Sequence, residues 1–150
     1  MMRSKLGSTF SQSLKIVFAN PVLRWAMLVM SYNPPRAGTW NDFQASLIGG
    51  IVGIGAVFLF RQLIEKDRDL SQIQLLPEMN GFQYAASIFI CAEVMALSMV
   101  LGHGLANIYQ PRPIDWAAFI GLTVLKNLIL AVPLGIWGWH EHSKLRNTVV

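Results

Sequence analysis

Three stretches nearly free of charge constrain this chain more than any other feature. Residues 43–60 hold no charged side chain, residues 82–109 hold only Glu93, and residues 116–139 hold only Lys126. An apolar run of about 20 residues is long enough to cross roughly 30 Å of hydrocarbon as a helix. In that solvent a chain must satisfy its backbone polar groups internally, which selects the helix. Only 13% of residues are charged, against about a quarter in soluble domains, and 53% are hydrophobic. The expected fold is therefore all-α: one polytopic transmembrane domain covering residues 1–150.

A fourth candidate, residues 16–32, is less uniform, because it holds Asn20, Pro21 and Arg24. Charge placement arbitrates its role. With four spans, Arg3, Lys5, Lys15, Arg61, Lys66, Arg68, Lys144 and Arg146 share one side, leaving Arg36 and Arg112 on the other. With three spans and an N-terminal helix lying in the interface, the basic residues divide almost evenly. The positive-inside rule prefers the first arrangement. The expectation is four transmembrane helices as two hairpins, about 16–32, 43–62, 82–107 and 116–139, with both termini cytoplasmic. Three spans plus an interfacial helix is the alternative.

Two polar corners interrupt the apolar runs. Pro35-Arg36 precedes Trp40 and Phe43, and Pro111-Arg112 precedes Trp116 and Phe119, at a constant offset of 76. Proline stops a helix, and tryptophan favours headgroup depth. These residues are read as two external turns, arising by duplication of a hairpin or by convergent turn chemistry.

Glu93, Lys126 and Arg24 are the ionisable residues expected inside spans. Counted inward from the connecting turn, Glu93 and Lys126 lie about 21 and 16 Å deep at about 1.5 Å per residue. An isolated ion there is costly, so the two are expected to pair, with Arg24 sharing Glu93 or facing a partner. The pair would fix helix register or carry protons or ions. Gly49, Gly50 and Gly53 provide a GxxxG-type surface for close helix packing. His140 and His142 are two apart, so a helix turns them away from each other, and His103 stands alone. Neither arrangement makes a metal site. The single Cys91 excludes an internal disulfide and CxxC chemistry. Phosphate-binding loops, nucleophile elbows and paired catalytic carboxylates are missing, so neither an enzyme nor a cofactor is expected. The net charge of +4 is scattered beside apolar segments and is no nucleic-acid footprint.

Tyr32, Asn33, Pro34 and Trp40 near the first corner, with Trp139, His140 and Arg146 near the end, resemble a group of small four-span bacterial inner-membrane proteins. That group has a Tyr-Asn-Pro turn, a closing Trp-x-His-basic stretch and no assigned activity. The resemblance implies a bacterial inner membrane, although the residues themselves leave an organellar origin open. The functional expectation is a small accessory or scaffold subunit that binds lipids and other integral-membrane subunits through helix faces. A homo-oligomeric transporter or channel using Glu93 and Lys126 is the alternative.

Overall fold

The computed structural model describes residues 2–32, 38–61, 78–109 and 114–149. The corners at Pro35-Arg36 and Pro111-Arg112, the linker over 62–77 and the His103 side chain lie outside the described residues. What is described is helical, with five helices and no strand. These are α1 (Met2–Ala19), α2 (Pro21–Ser31), α3 (Trp40–Arg61), α4 (Gly81–Tyr109) and α5 (Trp116–Val149).

Local chemistry explains each helix start. Thr39 caps α3, its Oγ1 accepting from Asp42 N at 3.2 Å and donating to Asp42 Oδ2 at 2.7 Å. Asn80 and Gln83 form a reciprocal capping box at α4, with both bonds at 2.9 Å. Asp115 caps α5 by accepting from Ala118 N at 3.0 Å. The 76-residue echo thus has a local meaning. Thr39 and Asp115 are caps, Trp40 and Trp116 open the helices, and each Trp touches the Phe three residues on.

The first apolar segment is not one straight span. A break at Asn20 separates α1 from α2, and the two axes are bent by 113°. Pro21 lacks an N–H and pushes the residue before it out of the helical region. Asn20 accordingly sits extended, at φ −116 and ψ 116, and its side chain accepts from Val22 N at 2.9 Å. Proline at the first helical position suits a new start. The segment expected as one span over 16–32 is thus a bent helix pair rather than one straight helix, and the helical part begins near Met2 rather than residue 16.

Among the described residues two helices are long and apolar enough to cross a membrane, Gly81–Gly102 and Trp116–Thr148, with the bent pair a third if taken as one span. The chain is an all-helical membrane protein, and four crossings are not established by the described residues. At about 1.5 Å per residue, α5 is roughly 51 Å long and exceeds the hydrocarbon thickness. It therefore runs ten residues past the expected end at Trp139.

Contacts fix the helix directions. Glu93 meets Asn127 and Tyr84 meets His142, so α4 and α5 are antiparallel. Gly53 lies against Val29, and Tyr32 and Ser46 meet at one lysine, so α2 and α3 are antiparallel. Gly38 adjoins Asp115 and Gly50 adjoins Leu130, so α3 and α5 run parallel. The core joins Ile16 and Val17 of α1, Leu23, Ala26 and Met30 of α2, Tyr84, Ile88 and Cys91 of α4, and Leu130 and Leu134 of α5. On α5 the inward residues recur as 119, 123, 126, 127, 130, 131, 134, 138 and 142, the helical period.

Candidate functional site

The polar residues inside the bundle gather on α5 about a third of the way along. Lys126 is 1% exposed and Asn127 is fully buried. Neighbouring helical residues project roughly 100° apart, so these two reach different helices. Lys126 turns toward α2 and α3. Its Nζ donates to the Tyr32 carbonyl at 2.8 Å and to Ser46 Oγ at 3.3 Å. Asn127 turns toward α4, and its Nδ2 donates to Glu93 Oε1 at 2.9 Å.

The Lys126 contact has a clear electrostatic logic. Tyr32 is the C-cap of α2, extended at ψ 121, with its N–H returning to the Val29 carbonyl at 3.2 Å. The last carbonyls of a helix lack intrahelical donors and carry the negative end of its dipole. An ammonium placed there satisfies an orphan acceptor and stabilises itself. The lysine side chain leans toward the N-terminus of its own helix, which carries Nζ toward the level of Ser46 near the start of α3. Gly38 lies beside Asp115 at the start of α5, eleven residues before Lys126. Ser46 lies eight residues beyond Gly38, so the end of α2, which shares the ammonium with it, stands roughly 12 Å past Gly38 at about 1.5 Å per residue.

The expected intramembrane trio is thus distributed differently from a direct Glu93–Lys126 pair. Glu93 takes its hydrogen bond from Asn127, and Lys126 takes a helix end and a hydroxyl. Arg24 is half-buried on α2 and makes no hydrogen bond or ion pair to Glu93 among the described residues. Ser46 and Asn127 were not singled out by sequence, and Tyr32 was named only as part of the Tyr-Asn-Pro resemblance. For Asn127 the available signal was its position, one residue from a lysine at matching depth.

The glycines divide between two uses. A Cβ on Gly53 would sit 2.7 Å from Val29 Cγ1, and one on Gly50 would sit 3.0 Å from Leu130 Cδ1, so both serve packing within the chain. Gly49 opens onto free space. It lines a groove of about 610 Å³ between α2 and α3, with Trp25, Leu28, Tyr32, Ala45 and Ser46. Gly135, which sequence reasoning passed over, has the tightest site. A Cβ there would overlap the backbone of Ala85 on α4.

At the far end of the bundle, Tyr84 hydroxyl bonds His142 Nδ1 between α4 and α5. His142 is buried and His140 is exposed. The elbow at Asn20 covers this pair, with Ile16, Ala19 and Leu23 beside it. Among the described residues no three His, Cys, Asp or Glu side chains come together as metal ligands. Trp40 is exposed and Trp116 half-buried at the starts of their helices. Compared with known protein families, curated proteins and solved structures, the chain matches none.

Proposed function

We propose that this chain is a small accessory or scaffold subunit of a larger membrane assembly. It would sit in a bacterial inner membrane with both termini cytoplasmic, as the charge distribution favours. One observation supports this reading above the others: Lys126 and Asn127 hold α2, α3 and α4 onto α5, so the intramembrane polar groups serve internal register. What faces outward beside them is the apolar α2–α3 groove with its open Gly49. Small residues let a second helix approach closely, and van der Waals packing drives association where lipid is as apolar as leucine. Gentle purification tests the reading. A stoichiometric membrane partner is expected with the wild type and is expected to be lost with Gly49→Leu, which fills the groove while leaving helicity unchanged. A stable, partner-free wild-type monomer would overturn it.

A transporter or channel is the second reading, favoured by the depth at which α2 ends. Discontinuous helices expose backbone groups near the midplane in many transporters. Liposome flux that disappears in the Glu93→Gln, Lys126→Met double variant would establish this role, and unchanged flux would remove both residues from it.

A further inference from the structure

Asn127 is fully buried, yet only half of its amide is satisfied. Its Nδ2 reaches Glu93 Oε1 at 2.9 Å, while Oδ1 has no hydrogen-bond partner. Buried orphan acceptors are rare enough that each calls for a cause. An ionised Glu93 cannot supply one, because a carboxylate only accepts. A neutral carboxylic acid can. It offers a donor and an acceptor side by side, and a primary amide presents the complementary pair on one edge.

We infer that Glu93 is a proton-binding site, held as the neutral acid by Asn127 in a cyclic acid–amide pair. In that pair Glu93 Oε2–H donates to Asn127 Oδ1 while Asn127 Nδ2 donates to Oε1. The step is the binding of one proton from water, and no other bond changes. The terminal torsions of both side chains are broad, and that freedom is what the ring would use to close.

The surroundings agree with a neutral group. Asn127 is the one donor to Glu93 among the described residues, where a stable carboxylate would collect two or three. Thr123 and Ser98, the nearest hydroxyls along α5 and α4, donate instead to the Phe119 and Val94 carbonyls. Lys126 is the cation whose field reaches Glu93, and it favours the ionised form. Its Nζ, however, donates to Tyr32 and Ser46, about 100° around α5 from the face on which Asn127 meets Glu93. Among the described side chains, the titratable and charged groups of the other helices are Lys15 on α1, Arg24 on α2 with Tyr32 at its C-cap, and Asp42 on α3. None of them bonds Glu93 among the described residues. Cys91, on α4 itself, is buried in the core. The inference does not depend on the subunit reading above, since a register-fixing pair and a transport site could both hold a proton.

Infrared spectroscopy of the protein in lipid reads the proton directly. Near neutral pH the wild type is expected to show the carbonyl band of a protonated carboxylic acid. That band should shift in D2O, vanish in Glu93→Gln and change frequency in Asn127→Leu. Stability supplies a second reading. The folded state holds the proton more tightly than the unfolded chain, so this stabilisation is present at low pH and fades as pH rises through deprotonation. Glu93→Gln keeps the donor–acceptor edge, so its unfolding midpoint should stay near the wild-type value at neutral pH and lose this pH dependence. If Glu93→Gln does not accumulate, the band in the wild type alone decides: persistence into alkaline medium supports the site. A band that appears only in acid, or a Glu93→Gln protein much less stable than wild type at neutral pH, overturns it.

Discussion

Three single substitutions to alanine should separate the glycines by role. At Gly135 the new Cβ falls among the N, Cα and Cβ of Ala85, so two helix backbones must move apart. Overpacking of that kind costs about 1–3 kcal/mol, with backbone displacement at the upper end. Replacing glycine inside a helix returns roughly 0.5–1 kcal/mol through lower conformational freedom of the unfolded chain. The net expectation for Gly135→Ala is a loss of about 1–2 kcal/mol. At Gly53 the obstacle is the β-branched Val29, with methyls at 2.7 and 3.2 Å; valine on a helix keeps essentially one rotamer, so the two helices must shift slightly and the variant should lose up to about 1 kcal/mol net. At Gly49 nothing lies within 4 Å of the new Cβ, so the variant should gain a few tenths up to about 1 kcal/mol. Reversible unfolding in mixed micelles, followed by circular dichroism, measures all three. A neutral Gly135→Ala, or a Gly49→Ala more damaging than Gly53→Ala, would refute the assigned α4–α5 and α2–α3 contacts.

Lys126→Met removes the donor from the Tyr32 carbonyl at the end of α2, and a hydrogen bond from a charged group contributes about 1.5–3 kcal/mol. Faster amide exchange over residues 29–32 should accompany the lower stability, and unchanged exchange would deny the capping role. Asn20→Ala deletes the side-chain cap on Val22 N and should cost about 0.5–2 kcal/mol. Adding Pro21→Ala frees the chain to continue as one helix, so spin labels at residues 12 and 28 should move further apart than across the 113° bend. Tyr84→Phe strips the partner from buried His142 Nδ1 and should destabilise by about 1–3 kcal/mol, read in the same micelle assay.

The existence of the helices was legible because apolar length is a one-dimensional signal. Their starts, expected at 43, 82 and 116, lie at 40, 81 and 116, where Thr39, Asn80 and Asp115 supply the local caps. The break at Asn20-Pro21 carried the same signal, an Asn cap followed by Pro at the first helical position. It was outweighed by the distribution of basic residues, which counts crossings and is blind to a bend within one. Depth was legible as a residue count, and it placed Glu93 and Lys126 at similar levels. Rotation was not. A lipid-exposed helix is apolar on every side, so its sequence does not mark the face that turns inward. Leu125, Leu128 and Ile129 are exposed while Leu130 and Leu134 are buried, with no difference in residue type to announce it. Whether Glu93 meets residue 126 or 127 is a question of rotation, and so is the approach of Gly135 to Ala85.

That same uniformity explains why the polar contacts sit where they do. Between helices in lipid, burying leucine against leucine gains little over burying it against acyl chains. Packing alone then discriminates weakly among rotations of α5. Lys126 and Asn127 remove the degeneracy, because each demands a different partner in a different direction. Turning α5 by one residue one way would aim the ammonium at α4, and turning it the other way would aim the amide at the end of α2; in either case the second residue is carried away from both partners, and the Tyr32 carbonyl or Glu93 loses its complement. Adjacent polar residues with unlike requirements thus define orientation more sharply than two lysines or two asparagines could. The argument makes a distinct demand on the exchanged variant, Lys126→Asn with Asn127→Lys. Composition, hydropathy and helix length are all preserved, yet that protein should lose native packing, while a swap of Leu128 with Ile129, both exposed, should be silent. Equal stability of the two swapped proteins would mean that van der Waals packing alone sets the rotation of α5.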